Sequence, residues 1–310
     1  GTWTLTPAEL GRGLVGEQIA GYYEMQDGHG STNQIAPITA AGLTPVNVVD
    51  LSAEELANID VLFVQNSSEQ FYASEYLENL ANIQDAVSNG MSLILHDRYM
   101  LQATAILPGG ADFGIVRHFG GGLDIDVRNP SSDLITGPGG TIADDNLDGG
   151  RPGYGQGYVV AGTLPDDADL ALAVDSDPSH IVTFSYGFGA GNVVYSSIPL
   201  DFYLDGRGYQ PAADNFRDIY APNVVEYGAK LTGLTITPPV GSGDFTLTVT
   251  ATATEGVNGD TASVSDTIAV DLNVPPVPSD DAVTTNEDVP TTIDVLANDT
   301  DPDGDTLSVS

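Results

Sequence analysis

Threonine alternates with apolar residues over residues 245–254, FTLTVTATAT. Successive side chains of a strand point to opposite faces, so this period of two predicts a β-strand with one buried and one solvated face. A second alternating stretch, residues 261–274, follows a turn at residues 255–260. Together the two stretches predict a β-sandwich hairpin in the part of the chain beyond Gly233.

Residues 21–228 have a different pattern, in which apolar runs alternate with segments of helical spacing. The continuous apolar runs 61–64 and 93–95 are typical of strands that are covered on both faces. Between them, apolar residues recur at helical spacing over residues 76–87. Strand, helix and strand with short connections predict a flavodoxin-like, mostly parallel α/β domain. Residues 109–157, rich in Gly, Asp and Pro, are expected to form long loops at one rim, and residues 181–198 a further hairpin.

The charge balance narrows the possible partners. Acidic residues outnumber basic ones by 44 to 8, for a net charge of −36. This charge repels nucleic acid and anionic lipid, and makes divalent cations the expected counter-charge. A halophile-type acidic surface is the alternative explanation. The sequence has no cysteine and no apolar stretch of about 18 residues, which excludes disulfides, zinc–thiolate sites and a cysteine nucleophile, and predicts no membrane insertion.

Two loops carry acidic residues at alternate positions, a spacing that lets several oxygens converge on one calcium ion. The first loop, residues 298–305 (NDTDPDGD), has Gly304 to permit a tight bend; its predicted ligands are Asp299, Asp301, Asp303 and Asp305. The second loop offers Asp144, Asn146 and Asp148. Neither is an EF-hand, because the twelfth positions are Ser310 and Gly155. The alternative for both is a solvated acidic loop, and for the neighbouring Asp124 and Asp126 a wet strand edge.

Several segments resemble the cadherin-like, immunoglobulin-type repeats of bacterial RTX adhesins: residues 1–10 (GTWTLTPAEL), 233–239 (GLTITPP), 244–274 and 280–310. In such repeats the first two segments ordinarily adjoin, whereas here some 220 residues separate them. The resemblance therefore implies an α/β domain inserted into a split β-sandwich. It also implies an extracellular location on the bacterial surface, type I secretion, a role in biofilms, and calcium ligands near the linker at Asp280, Asp281, Glu287 and Asp288.

The implied organisation has five parts. Residues 1–10 are the first segment of the split repeat, 11–232 the inserted domain, 233–274 the remainder of the repeat, 275–279 a Pro-rich linker, and 280–310 the start of the next repeat. The chain begins at Gly1 without a signal peptide and stops within a strand-like run, so we expect a segment of a larger protein. We expect it to be monomeric within a long tandem-repeat chain.

The inserted region resembles the class I glutamine-amidotransferase-like fold, including its ThuA-like relatives. The resemblance rests on the order of elements and on residues 57–66 (ANIDVLFVQN), 88–98 (SNGMSLILHDR) and 189–204 (GAGNVVYSSIPLDFYL). In amidotransferases a nucleophilic Cys follows the strand placed like residues 93–95, whereas here His96, Asp97 and Arg98 follow it. The catalytic His of that family is replaced by residues 199–201 (PLD). Both departures predict that the thiol chemistry is lost and that the domain is not an enzyme.

Polar residues at the ends of the predicted strands are the candidates for ligand binding, because α/β sheets bind ligands at the carboxyl ends of their strands. They are Asp27, His29, Gln65, Asn66, His96, Asp97, Arg98 and Asp201. Three alternatives stay open: these groups pair with one another, they line a pocket without catalysis, or His96 acts with Asp97 or Asp201 in hydrolysis or isomerisation.

The sequence thus predicts a segment of a large, secreted, calcium-dependent surface adhesin. Its α/β domain is expected to bind carbohydrate or peptide on a host or neighbouring cell without catalysis. The alternatives are an active ThuA-like or amidotransferase-like hydrolase or isomerase carried on an adhesin stalk, and a domain that only adds bulk.

Overall fold

The structure is a computed structural model that describes residues 18–26, 32–118, 124–149, 156–230, 245–254, 261–270 and 274–309. The chain divides into two compact units, Leu5–Thr235 and a second unit formed by Gly1–Thr4 with Ile236–Ser310. Within the described residues, no helix has both the length and the apolar character needed to cross a membrane.

The strands of the first unit are β1 Ile19–Glu24, β2 Thr44–Asn47, β3 Val61–Asn66, β4 Ser92–Asp97, β5 Ile115–Arg117, β6 Ile125–Val127, β7 Thr136–Gly137, β8 Gly140–Thr141, β9 Gly157–Val160, β10 Asp169–Val174, β11 Asp177–Phe188 and β12 Gly191–Ser196. Its helices are α1 Ile35–Ala40, α2 Ala53–Leu56, α3 Ser74–Glu78, α4 Leu80–Ser88, α5 Leu200–Leu204, α6 Ala212–Asn215 and α7 Ala221–Ala229. A π-helical turn, Phe216–Tyr220, joins α6 to α7.

One large mixed sheet forms the centre of this unit, in the order β2-β1-β3-β4-β12-β11-β10-β6. The first five strands are mutually parallel. From β12 onward the pairing is antiparallel, and β9 joins β5 to β11. The expectation of a mostly parallel sheet is therefore wrong for this second half, because the predicted hairpin, now β11 and β12, continues the sheet instead of ending it. The expected rim loops at 109–157 also contain β5 and β6, which extend the sheet.

The central strands are buried on both faces, as their continuous apolar runs predicted. All six residues of β3 and all six of β4 are buried. Alternate residues belong to different cores: Leu62 and Val64 lie in the same buried cluster as Ile83 of α4, whereas Val61 and Phe63 lie in the same cluster as Val224 of α7. Because each buried aliphatic side chain contributes about 1.5–3 kcal/mol, the two cores fix the register of these strands and hence of their carboxyl ends.

Local signals determined several element ends. Ser52 and Glu55 have the spacing of a capping box, which predicts the start of a short helix. Ser52 caps α2 in the structure, and its Oγ accepts a hydrogen bond of 3.3 Å from the backbone N–H of Glu55. The single helix expected over residues 76–87 is divided at Asn79 into α3 and α4. The final helix, α7, has Pro222 in its first turn, where the missing N–H is not needed.

The second unit contains the predicted hairpin. Strands β13 Phe245–Thr254 and β14 Thr261–Val270 pair antiparallel from Phe245 opposite Val270 to Thr254 opposite Thr261. Residues 274–309 carry little regular structure, with one isolated bridge between Val277 and Thr300. The predicted segments at residues 1–10 and 233–239 lie outside the described residues.

Candidate functional site

The carboxyl ends of β3, β4 and β12 bring the predicted strand-end residues together. In the parallel register Gln65 lies beside His96 and Asn66 beside Asp97, while Ser196 of β12 flanks His96 on the other side. All of these side chains are buried. Asp27 and His29, also predicted for this edge, lie outside the described residues.

Asp97 is the most heavily hydrogen-bonded residue of this group, with no exposed surface. Its carboxylate accepts hydrogen bonds from Asn66 Nδ2 at 2.9 Å, Tyr72 OH at 2.7 Å and Tyr195 OH at 3.1 Å. The backbone N–H groups of Tyr99 and Met100 donate at 2.9 and 3.2 Å. Burial raises the pKa of the carboxyl above its usual range, and these donors oppose that rise. Asp97 therefore ties the loop after β4 to its neighbours.

His96 lies in an aromatic and polar enclosure and is 1% exposed. Its Nε2 is 3.0 Å from Tyr220 OH, and its Nδ1 is 3.5 Å from Gln65 Nε2. The rings of Phe63 and Tyr220 meet the imidazole edge to face. Burial lowers the pKa of His96 to about 3, so the ring is neutral at pH 7. A neutral, enclosed imidazole can complete a hydrogen-bond network, but solvent and solutes do not reach it.

Arg98 and Asp201 form a two-pronged ion pair just outside these buried groups. Arg98 Nε donates to Asp201 Oδ1 at 2.8 Å and Nη2 to Oδ2 at 2.6 Å. The two side chains are 11% and 10% exposed. Glu69 extends the network, lying 4.0 Å from Arg98 Nη1 and 3.6 Å from Arg117 Nη2. Arg117 in turn donates from Nη1 to the carbonyl oxygens of Arg98 and of Tyr99.

The described strand-end residues thus largely satisfy one another, which is the first of the three alternatives drawn from the sequence. One polar atom of these strand-end residues is the exception: Gln65 Oε1 is buried and has no hydrogen-bond partner among the described residues. Direct contact of Gln65, Asn66, His96, Asp97, Arg98 or Asp201 with a ligand stays a prediction.

Sequence reasoning missed most of the partners that hold this edge together. Tyr72 and Tyr195 donate to Asp97 from two different elements, and Tyr220 reaches His96 from the π-helical turn. Glu69 and Arg117 bridge the loops. Tyr72 lies three residues beyond Glu69 in the loop that follows β3. Because this loop begins at a predicted strand end, Tyr72 could have been included among the candidate residues. The other partners are distant in sequence and have no recognisable motif.

Side chains of the acidic loop at residues 144–148 accept hydrogen bonds from the backbone of β6, an edge strand of the sheet. Residues 144–147 form a 3-10 turn. Asp144 Oδ1 accepts from Val127 N–H at 2.9 Å and Asp148 Oδ1 from Ile125 N–H at 3.0 Å, so both carboxylates bind backbone groups of β6. Asn146 Oδ1 accepts from Ala143 N–H at 2.7 Å. Short Asp and Asn side chains favour such local backbone contacts, which explains the alternation without a cation.

Crowding of carboxylates is nevertheless visible beside this turn. Burial, together with the nearby carboxylates of Asp144, Asp175 and Asp148, raises the pKa of Asp126 to about 6. Over the described residues, no group of three or more His, Cys, Asp or Glu side chains has an arrangement that holds a metal ion. Calcium binding by Asp144, Asn146 and Asp148 stays a prediction.

The raised pKa of Asp126 leads to a pH-dependent prediction. The folded chain holds this proton up to about pH 6, whereas the unfolded chain releases it near pH 4, so its contribution to stability is present at low pH and lost as the pH rises through 6. Asp126→Asn is expected to raise the free energy of unfolding at pH 7.5 by about 1 kcal/mol, a figure reduced for the exposure of the group, and to raise it much less at pH 4. Chemical denaturation at both pH values measures this.

The matched control for this prediction is Asp166→Asn, which removes one charge at an exposed position of the same unit. An equal gain in the control would mean that the net charge of −36, and not the local cluster, sets the effect.

In the second acidic loop, aspartates hold the backbone of the linker region. Asp301 Oδ1 accepts from the backbone N–H groups of Asp303 and Asp305 at 2.9 and 3.1 Å. Asp299 Oδ1 accepts from Ser279 N–H at 2.7 Å and Asp303 Oδ2 from Val274 N–H at 2.5 Å. Gly304 has a φ of +82°, the left-handed conformation that the predicted bend requires. The other predicted ligands, Asp280, Asp281, Glu287 and Asp288, are exposed.

Comparison with protein families gives a match in this C-terminal region. Residues 273–310 match the family described as a bacterial Ig domain. The match supports the predicted Ig-type repeat region, and it is compatible with a role at the cell surface. No curated protein matches the chain.

Solved structures offer distant likenesses. The cytoplasmic proteins STM3548 and STM1381 of Salmonella typhimurium are 12% and 11% identical to this chain, with TM-scores of 0.41 and 0.43. The matches cover 68% and 69% of this chain and 98% and 100% of those proteins. An exo-beta-1,4-mannosidase, Op5Man5 of Opitutaceae bacterium strain TAV5, is 12% identical with a TM-score of 0.40, over 70% of this chain and 36% of the enzyme.

Proposed function

We propose that this chain is a segment of a secreted, calcium-dependent bacterial surface adhesin, in which a flavodoxin-like domain is inserted into a split β-sandwich and acts as a non-catalytic binding module. The observation that carries the proposal is the match of residues 273–310 to a bacterial Ig domain. The antiparallel pairing of β13 with β14 immediately before that segment adds support, since Ig-type sandwiches are built from such hairpins.

The two ends of the α/β unit favour an insertion. Gln18 Nε2, just before β1, donates a hydrogen bond of 2.8 Å to the carbonyl oxygen of Ala229 at the end of α7. A domain inserted into another needs its first and last residues side by side, so that the host fold is not forced apart. The order of the parallel strands, β2-β1-β3-β4-β12, is that of flavodoxin-like sheets.

The state of the strand-end residues favours binding without catalysis. A general base must be within reach of its substrate and have a pKa near the working pH. His96 is 1% exposed and its pKa is about 3, and Asp97 is enclosed by five hydrogen-bond donors. The chain has no cysteine to act as the nucleophile of an amidotransferase. The module's partner in this proposal is a carbohydrate or peptide on a host or neighbouring cell.

Calcium is part of the proposal because carboxylates of the second unit accept hydrogen bonds from backbone N–H groups at the Pro-rich linker. Asp303 accepts a hydrogen bond from the backbone N–H of Val274, just before the Pro-rich linker, and Asp299 accepts one from the N–H of Ser279, the last residue of the linker. The two contacts bring negative charge to the junction. The residues that would hold an ion there are Asp299, Asp301 and Asp303, with Asp280 or Asp281. A hard divalent cation bound by carboxylate oxygens would neutralise this charge and stiffen the linker.

Calorimetry tests this role of calcium. With 2 mM CaCl₂ against excess chelator, at an ionic strength high enough to screen the general acidity, we expect one unfolding transition to rise in temperature. A ligand that binds only the folded state at a hundred times its Kd adds about 2.7 kcal/mol. Matched MgCl₂ should give a much smaller shift, because Mg²⁺ demands a stricter geometry and sheds water reluctantly.

A variant locates the ion. Asp301→Asn keeps the size of the side chain and should remove most of the calcium-dependent rise, whereas Asp166→Asn in the other unit should leave it intact. Identical traces with calcium and chelator would overturn the calcium-dependent part of the proposal.

A further inference from the structure

Each of the segments that follow the carboxyl ends of the neighbouring strands β3, β4 and β12 carries an exposed apolar side chain. Phe71 is 52% exposed, Leu101 59% and Tyr209 59%. Within the described part of residues 18–230, Phe71 and Tyr209 are the two exposed Phe or Tyr side chains; the other Phe and Tyr residues described there are wholly or partly buried. Large exposed apolar groups gathered on one edge mark interaction sites in soluble proteins.

Contacts join the β3 loop, the β4 loop and α5 to one another, so Phe71 and Leu101 lie on a fixed base. Glu69 on the β3 loop contacts Arg98 on the β4 loop, and Arg98 binds Asp201 of α5 after β12. The rings of Tyr72 and Tyr99 join the first two loops edge to face, with centroids 5.1 Å apart. Phe71 lies two residues from Glu69, and Leu101 three from Arg98. Preorganised loops bind at a lower entropic cost than mobile ones.

Charge at this edge differs from that of the rest of the chain. Arg98 pairs with Asp201, Arg117 with Glu69, and Arg207 with Asp205. These three pairs carry no net charge, in a chain of net charge −36. An anionic ligand would be repelled by the chain as a whole and would find each of these guanidinium groups already neutralised. A wholly apolar partner would strip water from the ion pairs without replacing it, which is costly.

We propose that this edge, Phe71, Leu101 and Tyr209 with Glu69 and Arg207, binds a neutral saccharide. The inference rests on the proposed function and names the ligand class of the binding module. A pyranose has an apolar C–H face that packs on an aromatic ring, and hydroxyl groups that both donate and accept. Glu69 and Arg207, with side chains 53% and 52% exposed, offer an acceptor and a donor of hydrogen bonds, and each lies two positions before one of the exposed rings in the sequence. The buried His96 and Asp97 then support this surface from below and do not touch the ligand.

Arrays of immobilised ligands test the proposal on the full chain. The probes are neutral oligosaccharides of glucose, galactose and mannose, acidic oligosaccharides carrying sialate or uronate, and a peptide library. We expect binding to neutral oligosaccharides. Phe71→Ala and Tyr209→Ala should each raise the Kd by about tenfold or more, as the loss of a stacked ring does at a binding hot spot.

Tyr209→Phe keeps the ring and should bind within about threefold of the parent, which separates stacking from a role of the hydroxyl group. Val49→Ala is the matched control, because Val49 is 61% exposed and follows β2, the outermost strand of the sheet. Thermal unfolding of each variant shows that the fold is retained.

Each outcome decides between the two proposals. Binding to neutral oligosaccharides that both alanine variants retain would overturn this site and leave the binding module in place. Binding to peptides or acidic oligosaccharides alone would overturn the neutral-saccharide class but not the module. No binding to any probe would overturn both this inference and the binding role on which it rests.

Discussion

Asp97→Ala is expected to lower the free energy of unfolding of the α/β unit by about 3–5 kcal/mol. The change removes the common acceptor of Tyr72, Tyr195 and Asn66 and leaves two backbone N–H groups unpaired in a fully buried site. Each buried donor without a partner costs about 1–3 kcal/mol, and relief from burying a carboxylate offsets part of the sum. Urea denaturation followed by circular dichroism measures the difference.

Two further variants sharpen this prediction. Asp97→Asn keeps one acceptor oxygen and the volume, so it should lose clearly less stability than the alanine variant. Asp166→Ala, at an exposed position, should change the free energy of unfolding by less than about 0.5 kcal/mol. A loss below about 1 kcal/mol for Asp97→Ala would show that water takes the place of the carboxylate and that the site is not closed.

The sequence predicted the elements whose signals are local. The continuous apolar runs at β3 and β4, the Ser52 cap and the alternation in β13 each require only neighbouring residues to be interpreted. The strand pattern also predicted that the polar residues at the ends of β3 and β4 meet at one edge, since parallel strands share their carboxyl ends. Local patterning therefore predicted that Gln65 and Asn66 lie at the same edge as His96 and Asp97, whereas the residue-by-residue pairing comes from the structure.

The long-range features were not predictable in this way. Nothing in the local pattern around Tyr195 shows that its hydroxyl group reaches Asp97, 98 positions earlier in the chain. Nor did the β11–β12 hairpin show that its first strand would continue the large sheet with β10 and β6. The acidic alternation at residues 144–148 has two alternative explanations, cation binding and capping of backbone N–H groups, and sequence spacing alone does not separate them; the structure shows the capping.

Asp201→Ala is expected to cost about 3–5 kcal/mol of stability, because it leaves the guanidinium of Arg98 enclosed without its partner. The Arg98 side chain is 11% exposed, and its other carboxylate neighbour, Glu69, is 4.0 Å away and half exposed, too distant to replace a two-pronged pair at 2.6–2.8 Å. The free energy of unfolding from urea denaturation measures the loss.

Removing both charges should cost much less than removing one. Replacement of a buried ion pair by apolar residues of similar volume is often nearly neutral, so Arg98→Met with Asp201→Leu should recover most of the loss. The coupling energy from the double-mutant cycle, Arg98→Met, Asp201→Leu and both together, should then exceed about 2 kcal/mol. Additive losses would mean that each charge is hydrated independently and that the pair does not fasten the β4 loop to α5. The saccharide surface would then lack the rigid base on which its preorganisation depends, and the Tyr209 and Leu101 loops would move separately.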